Sequence, residues 1–270
     1  IDELRQFAEV YGAVKSNYVE SVEDKKLITE AISGMLTGLD PHSAYLDAEA
    51  FKELQVGTQG EFGGLGIEVG VEDGFVRVVS PIEDTPADRA GVMAGDLIVK
   101  INDKATKGMS LQDAVKLMRG KPKTSIELTI SRKGMSQPLV LTIVREVIRV
   151  QSVKSNWVEP GYAFIRITQF QEHTVETMVT HLNKLLATSQ SNPSQPVKGI
   201  VLDLRNDPGG LLHAAVGVSA AFLPGDMVVV TTDGRLSDAK RSFRSRAEDY
   251  QRGGKDPLAG LDPRAKTLPM

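Results

Sequence analysis

The residues with the strongest chemical character lie in the segment 203–212, which reads DLRNDPGGLL. It follows the apolar run 199–202 and leads into the apolar segment 213–223. This order predicts a buried strand, a turn at Gly209 and Gly210, and then a helix. Backbone N–H groups at a glycine turn and a helix N-terminus bind anions. The residues alone leave three candidates: a phosphate, a carboxylate, or the oxyanion of a reaction intermediate.

A second glycine-rich segment, GGLGIEV at 63–69, offers consecutive N–H groups at the start of a predicted strand. Beside the predicted helix 110–119, that strand would form a groove to which an extended peptide adds as a further strand. The terminal carboxylate of the peptide would then lie in the nest of N–H groups. The alternative is a glycine-rich hairpin that binds no ligand. The candidate peptide-binding residues are Gly64, Leu65, Gly66 and Ile67.

Other chemical signals are weaker. The sequence contains neither a G-x-x-x-x-G-K-[ST] run nor a G-x-G-x-x-G run at the 203–212 turn, which disfavours the phosphate. Ser237 and Lys240 have Ser-x-x-Lys spacing, but they lie in a polar segment that predicts a solvated loop. The four histidines are scattered and predict neither a catalytic triad nor a metal site; they are His42, His173, His181 and His213. We therefore expect no cofactor and no metal.

The bulk composition is that of an ordinary globular protein, and its 270 residues are a natural length for two domains. The net charge of −3 and the aromatic content of 5% disfavour nucleic acid as a partner. The chain has no cysteine, so disulfides and thiolate metal sites are excluded. No apolar run approaches the ~20 residues that span a bilayer. The first 20 residues already have a helical pattern, so we expect any targeting segment to have been removed before Ile1.

Apolar spacing predicts two amphipathic helices at the start of the chain, within 1–20 and 27–36, with a stop at GLDPHS (38–43). They are too short to form a core by themselves. Their apolar faces predict docking of segment 1–39 onto another subunit.

The middle of the chain changes to short β patterns. Alternating residues predict strands at 64–69, 74–80 and 95–103, and two more around Leu128 and Leu141. Short helices are predicted at 85–92 and 110–120, the second with Ser110 as its N-cap. Together these elements predict a compact β-rich module.

The third region predicts a strand at 161–168, a helix capped by Thr174, and then the strand and helix of the glycine turn. This order favours a parallel βαβ layer with helices on its faces. Segment 231–270 is polar and poorly periodic, which predicts a cap-like tail. The predicted fold class is a multidomain α+β and α/β protein. The predicted domains are an N-terminal helical segment 1–58, a peptide-binding module 59–146, and an incomplete core 147–270.

Five motifs occur in an order that resembles the carboxy-terminal processing peptidases, the tail-specific Ser–Lys proteases of family S41. They are LDPHSAYL (39–46), GEFGGLGIEV (60–69), AGDLIVKIN (94–102), MRGKP (118–122) and LDLRNDPGGLL (202–212). Residues 64–145 resemble a PDZ domain of the bacterial protease type. The resemblance spans essentially the whole chain.

This resemblance implies a serine endopeptidase that captures protein C-termini with its PDZ domain and cleaves them by Ser–Lys acyl transfer. It makes the GLGI segment the carboxylate-binding loop, and Gly209 or Gly210 a donor to the oxyanion. Such a donor contributes about 3–4 kcal/mol in comparable acyl-transfer sites. It also implies that Arg119 reports a bound tail to the protease domain; the alternative is a cation that interacts with the helix dipole.

The sequence departs from the family pattern at the nucleophile, because it contains no Gly-Ser-Ala-Ser run. We therefore expect the nucleophile and the lysine base beyond Met270. The alternative is a non-catalytic protein that binds peptide C-termini. The expected partners are protein or peptide C-terminal tails, an adaptor protein, and further copies of the chain through the N-terminal helices. The expected location is the bacterial cell envelope, in the periplasm.

Overall fold

The computed structural model describes residues 2–190 and 196–270 of the chain. The chain divides into two compact units, 1–55 and 56–270. The helices are α1 Asp2–Asn17, α2 Asp24–Thr37, α3 Ala48–Gln59, α4 Pro86–Arg89, α5 Leu111–Met118, α6 Thr174–Gln190, α7 Leu212–Phe222 and α8 Ala247–Tyr250. The first strands are β1 Glu61–Gly64, β2 Ile67–Glu72, β3 Phe75–Pro81, β4 Leu97–Ile101, β5 Lys104–Ala105, β6 Ser125–Ser131 and β7 Leu139–Val144. The later strands are β8 Glu146–Arg149, β9 Val153–Glu159, β10 Tyr162–Ile167, β11 Gly199–Asp203, β12 Val228–Thr232 and β13 Arg241–Arg244.

The first unit is helical, as the apolar spacing predicts. Polar contacts to Asp24 join α1 to α2: the Tyr11 hydroxyl donates to its carboxylate at 2.6 Å, and the Lys15 ammonium lies 2.7 Å away. Gly38 is the C-cap of α2, so the predicted stop is confirmed. The helix α3 was not predicted. None of these three helices contains a buried residue, so their apolar side chains remain at least partly exposed.

Residues 61–149 form the predicted β-rich module. Its main sheet has the order β2-β3-β4-β6-β7, and β5 pairs with β4. The alternating residues Ile126, Leu128 and Ile130 are almost completely buried, which confirms the face predicted for β6. The strand predicted from Gly64 begins only at Ile67, because Gly66 has a φ of +78° that interrupts extended backbone. The antiparallel pair β1–β8 brings together the two ends of the module.

Residues 153–270 form a second core around the sheet β11-β10-β9. Strands β10 and β11 are parallel and are connected by α6, which confirms the predicted βαβ unit. The sequence predicted helices on the faces of this layer, and the structure has α6 and α7 in a single core on one face. Ala163, Ile165 and Ile167 point into a core shared with α6 and α7, whereas Val201 remains 42% exposed.

Thr174 is not the N-cap of α6. It is the first residue of the helix and is fully buried. Its hydroxyl accepts from the Gln171 N–H at 2.8 Å and contacts the Ser152 hydroxyl at 2.8 Å. The Thr174 side chain, which the local pattern predicted to cap α6, is therefore part of a buried polar cluster instead.

The tail 231–270 is more ordered than its polar sequence indicates. Strand β13 pairs with β12, and the side chains of Phe243 and Tyr250 pack against Val216 and Ala220 of α7. Ala265 is also buried, in the cluster that contains the strands of the second core. Sparse apolar residues thus attach an irregular segment to a hydrophobic helix.

Candidate functional site: a peptide groove and a glycine turn

The predicted carboxylate loop has a backbone geometry that only glycine adopts without strain. Gly66 has a φ of +78°, and a Cβ at this position would lie 2.2 Å from the Cβ of Thr85. A Cβ on Gly64 would lie 2.8 Å from the Phe62 ring. Both glycines therefore make close contacts, and Gly66 also has a backbone conformation that favours glycine.

The carbonyl groups of this loop are turned toward the start of α4. The Leu65 carbonyl accepts from the Ala87 N–H at 3.0 Å, and the Gly66 carbonyl accepts from the Ile82 N–H at 2.8 Å. The Thr85 hydroxyl also donates to the Gly66 carbonyl at 3.1 Å. The N–H groups of Leu65 and Gly66 have no acceptor in the described part of the chain. These two donors remain available to an anion.

A groove of about 240 Å³ opens beside this loop. Its floor is the edge of β2, which pairs with β3 and with no other strand of the described residues. Its wall is α5. The lining is apolar except for one cation and consists of Phe62, Gly64, Leu65, Gly66, Ile67, Val69, Val115, Met118 and Arg119. All four predicted peptide-binding residues and Arg119 therefore lie together in one groove.

Both ends of α5 are capped by side chains. Ser110 accepts from the Asp113 N–H at 3.1 Å, so the predicted N-cap is confirmed. At the other end, the buried guanidinium of Arg145 donates to the carbonyls of Leu117 and Met118, both at 2.9 Å. Burial lowers the pKa of Arg145 from its usual value. Sequence reasoning did not identify Arg145, because an arginine after a β pattern carries no local sign that it caps a distant helix.

The guanidinium carbon of Arg119 lies 4.6 Å from the centre of the Phe62 ring. This cation–π contact holds an otherwise exposed side chain at the rim of the groove. Arg119 follows the last residue of α5, where its cation also interacts favourably with the helix dipole. This position is compatible with both roles predicted from the sequence: a residue that reports a bound tail, and a cation that interacts with the helix dipole.

The turn after β11 begins with a buried carboxylate. Asp203 accepts two hydrogen bonds from the Arg205 guanidinium, at 2.8 and 3.0 Å, and the Arg166 guanidinium lies 3.6 Å away. The hydrogen bonds from the Arg205 side chain and backbone hold the pKa of Asp203 well below its usual range. The charged group therefore fixes the end of the strand from which the turn departs.

The two glycines of the turn have different hydrogen bonds. The Gly209 N–H donates to the Asp207 carboxylate at 2.7 Å. The Gly210 N–H has no acceptor among the described residues. Phe170 holds the turn from the other side, since its N–H donates to the Gly209 carbonyl at 3.0 Å and its carbonyl accepts from the Leu211 N–H at 2.8 Å. The turn has no residue in the lining of the peptide groove.

His213 lies near the start of α7, with Nε2 3.2 Å from a carboxylate oxygen of Glu172. The two groups are not aligned as a hydrogen bond, and this nitrogen has no hydrogen-bond partner in the described part of the chain.

His181 is hydrogen-bonded through Nδ1 to the Ser155 hydroxyl at 2.7 Å, and burial, with a smaller contribution from Lys184, lowers its pKa. The Lys240 ammonium is exposed and lies 3.2 Å from Asp233, so it is not a desolvated base.

No group of three or more metal-ligating residues occurs in the described ranges. In the same residues, no helix has both the length and the apolar character that a membrane span requires.

Comparisons with known proteins place these features in a family. The model of peptidase family S41 matches residues 161–263, a PDZ domain model matches residues 77–132, and the N-terminal domain model of the activating protease CtpB matches residues 1–50. The carboxy-terminal-processing protease of Bartonella bacilliformis is 45% identical over 239 residues, which are 88% of this chain and 54% of that protein. The carboxy-terminal processing protease CtpA of Bacillus subtilis is 36% identical over 214 residues, which are 79% of this chain and 44% of that protein.

Among solved structures, the photosystem II D1 C-terminal processing protease is similar at 28% identity and a TM-score of 0.40, over 78% of this chain and 58% of that one. The chain spans about half the length of the curated relatives that it matches. The N-terminal, PDZ and S41 matches follow one another in the order in which the structure has the helical unit, the grooved module and the βαβ core. The chain thus belongs to peptidase family S41, among the carboxy-terminal processing proteases.

Proposed function

We propose that the protein is a serine-type endopeptidase that recognises the C-terminus of a protein or peptide and cleaves the captured chain. The observation that carries this proposal is the groove between β2 and α5. It combines an unpaired strand edge with two available N–H groups at one end, those of Leu65 and Gly66. This combination suits an extended peptide that ends in a carboxylate.

The chemistry of the groove describes the tail that it would bind. The peptide backbone would pair with β2, and the terminal carboxylate would accept from the Leu65 and Gly66 N–H groups, with Ile67 as the third predicted donor. The apolar lining from Ile67, Val69 and Val115 favours an apolar last side chain. Main-chain pairing carries little side-chain information, which would allow many different tails.

The glycine turn would act on the captured chain. We assign the oxyanion donor to Gly210, because Asp207 already occupies the N–H of Gly209. The proposed chemistry is acyl transfer by a serine that a neutral lysine activates. Neither role is assigned to a residue of this chain, and the exposed, ion-paired Lys240 does not support Ser237 as a substitute.

Tail binding can be tested with fluorescein-labelled decapeptides that end in valine, either with a free carboxylate or with a terminal amide. We expect the amide to bind roughly 10- to 100-fold more weakly, because charged groups contribute the stronger hydrogen bonds. Equal affinities would contradict the carboxylate loop. Hydrolysis of the same peptides by the product of the complete gene tests the peptidase activity.

The second candidate is a non-catalytic protein that binds C-termini. It is favoured by one observation: the groove is complete within residues 62–119, whereas the nucleophile is unassigned. The intact mass of the complete gene product, compared with 29.2 kDa, and its hydrolysis of a bound peptide separate the candidates. Tight binding without any hydrolysis would support the second.

Five further proposals accompany the first. We place the domain boundaries at 1–58, 59–146 and 147–270, and the protein in the bacterial envelope, where fractionation of cells should locate it in the periplasm. The exposed apolar side chains of α1 and α2 suggest assembly of several copies, which light scattering tests. An adaptor protein would deliver substrates. Arg119 would report a bound tail, so Arg119→Met should lower kcat more than it weakens peptide binding.

A further inference from the structure

The peptide module has two connectors: residues 57–60 lead from α3 into β1, and residues 150–152 lead from β8 to β9 of the second core. The Val150 N–H donates to the Gly60 carbonyl at 2.8 Å, so the connectors are joined to each other. Both also contact one short segment of the second core, residues 169–174. This segment therefore contacts both connectors of the module.

Gln171 contacts the first connector through its side chain. Its side chain is buried, with 4% of its surface exposed, and its Nε2 donates to the Gly57 carbonyl at 3.2 Å. A Cβ on Gly60, whose φ is +74°, would lie 2.4 Å from Gln171 Oε1, so the amide fills the space beside that glycine. The neighbouring Glu172 N–H donates to the Thr58 carbonyl at 3.0 Å.

The second connector reaches the same segment through hydroxyl groups. The Ser152 hydroxyl contacts the Thr174 hydroxyl at 2.8 Å, and the latter accepts from the Gln171 N–H at 2.8 Å. Ser152 and Thr174 are both buried. Buried polar groups that are fully satisfied specify one arrangement, because any other arrangement leaves a polar group unpaired.

The opposite side of the segment holds the glycine turn. Phe170, adjacent to Gln171, donates to the Gly209 carbonyl at 3.0 Å and accepts from Leu211 at 2.8 Å. A Cβ on Gly210 would lie 2.1 Å from the Phe170 carbonyl oxygen, so the two backbones are in close contact. A displacement of residues 170–171 would therefore move the turn and redirect the Gly210 N–H.

We propose that Gln171 is a positioning residue that holds the two connectors of the peptide module against the glycine turn and thereby fixes the direction of the Gly210 N–H. The inference rests on the proposed function for its effect on hydrolysis. Its structural part, the dependence of the turn on the Gln171 amide, stands without it. Gln171 touches neither the groove nor the proposed oxyanion, so its effect is on geometry.

The test compares Gln171→Met, which keeps the side-chain length but removes the N–H donor, with Gln59→Met in the product of the complete gene. Gln59 is the matched control, because it is an exposed glutamine one residue before Gly60. Amide exchange is measured by NMR at Phe170 and Leu211, with Ile165 in the middle of β10 as the reference for global opening. In Gln171→Met we expect exchange at Phe170 and Leu211 to be roughly 2- to 10-fold faster, relative to Ile165.

The second readout is peptide hydrolysis. We expect kcat of Gln171→Met to fall roughly 10- to 100-fold, because small misplacements of a catalytic group have effects of this size. The Kd of the labelled tail peptide should remain within about 2-fold, since the groove does not contain Gln171. Gln59→Met should match the wild type in both measurements.

A second variant, Gly60→Ala, pushes the Gln171 amide from the connector side and should accelerate exchange at Phe170 and Leu211 as well. Gly74→Ala is its control, because Gly74 has a φ of +78° and no neighbour within 4 Å of the added Cβ. Unchanged exchange at Phe170 and Leu211 in Gln171→Met, or acceleration no greater than at Ile165, would overturn the inference. A wild type that binds tails but hydrolyses nothing would instead overturn the proposed function, while the exchange measurement would still decide the inference.

Discussion

The carboxylate of Asp207 accepts a hydrogen bond from the N–H of Gly209 at 2.7 Å. The contact makes the two glycines of the turn unequal, because it occupies one N–H and leaves that of Gly210 without an acceptor in the described residues. Of the two glycine N–H groups, only that of Gly210 thus remains available within the described residues. Donors of this kind are effective when they need no rearrangement as charge develops.

Substitution of Gly209 and Gly210 should affect the stability of the protein to different extents. A Cβ on Gly209 meets no atom within 4 Å, whereas a Cβ on Gly210 would lie 2.1 Å from the Phe170 carbonyl oxygen. Both positions have positive φ, so both variants are strained. We expect Gly210→Ala to lower the free energy of unfolding by about 2 kcal/mol more than Gly209→Ala does, because of the added overpacking. Urea denaturation measures the difference, and equal losses would contradict the close contact with Phe170.

The carboxylate loop allows a similar pair of variants. Gly66→Ala combines a φ of +78° with a contact of 2.2 Å to Thr85, and Gly74→Ala has the same φ without any contact. We expect losses of unfolding free energy of about 2–4 kcal/mol for Gly66→Ala and about 1–2 kcal/mol for Gly74→Ala. Only Gly66→Ala should also weaken binding of the labelled tail peptide, by at least roughly 10-fold. Equal peptide affinities in the two variants would argue against the loop as the carboxylate site.

Arg145 should contribute strongly to the stability of the groove wall. Arg145→Met would leave the carbonyls of Leu117 and Met118 without their buried donor, and we expect a loss of about 2–4 kcal/mol of unfolding free energy. Arg149→Met is the control, because the Arg149 side chain is 79% exposed and should change stability by less than about 0.5 kcal/mol. Thermal and urea denaturation measure both, and similar effects of the two variants would show that the helix cap is unimportant.

Because of Asp203, we expect the free energy of unfolding to fall in acid. Its pKa in the folded protein lies well below the ordinary value of 3.8, mainly because of the Arg205 hydrogen bonds. The resulting stabilisation is complete above the unfolded pKa and is lost as the pH falls from about 5 toward 2. We expect the free energy of unfolding of Asp203→Asn to decline less steeply over this range than that of the wild type. Parallel curves from denaturant titrations at each pH would refute the assignment.

Because of Tyr250, we expect the free energy of unfolding to fall in base as well. Desolvation and, to a lesser extent, the neighbouring Asp256 raise the pKa of its buried phenol to about 12. The folded state therefore retains a proton that the unfolded chain releases near pH 10, and stability should fall by about 3 kcal/mol between pH 10 and 12. In Tyr250→Phe this part of the decline should disappear. Fluorescence-monitored denaturation over that range tests it, and an unchanged alkaline slope would show that Tyr250 is not its source.

The parts of the fold that were predicted correctly have strong local patterns. Strands such as β6 alternate fully between buried and exposed residues, and the βαβ order of the second core follows from its apolar runs. The parts that were missed have weak ones. The tail reaches its core through isolated side chains such as Phe243 and Tyr250, whose partners on α7 lie far away in the sequence.

The sequence by itself determined where the two glycine-rich loops lie and that both turn through backbone conformations open to glycine. It also identified the family, because motif order is a property of the chain alone. The tertiary structure decided which N–H groups remain available. At Gly209 the N–H is occupied because the Asp207 carboxylate folds back onto it within the turn. At Gly66 the Thr85 hydroxyl, from a distant segment, donates to the carbonyl and so fixes the direction of the backbone. The tertiary structure also brought Arg145 and Gln171 to their positions, because a buried polar side chain acts on whatever the fold places beside it.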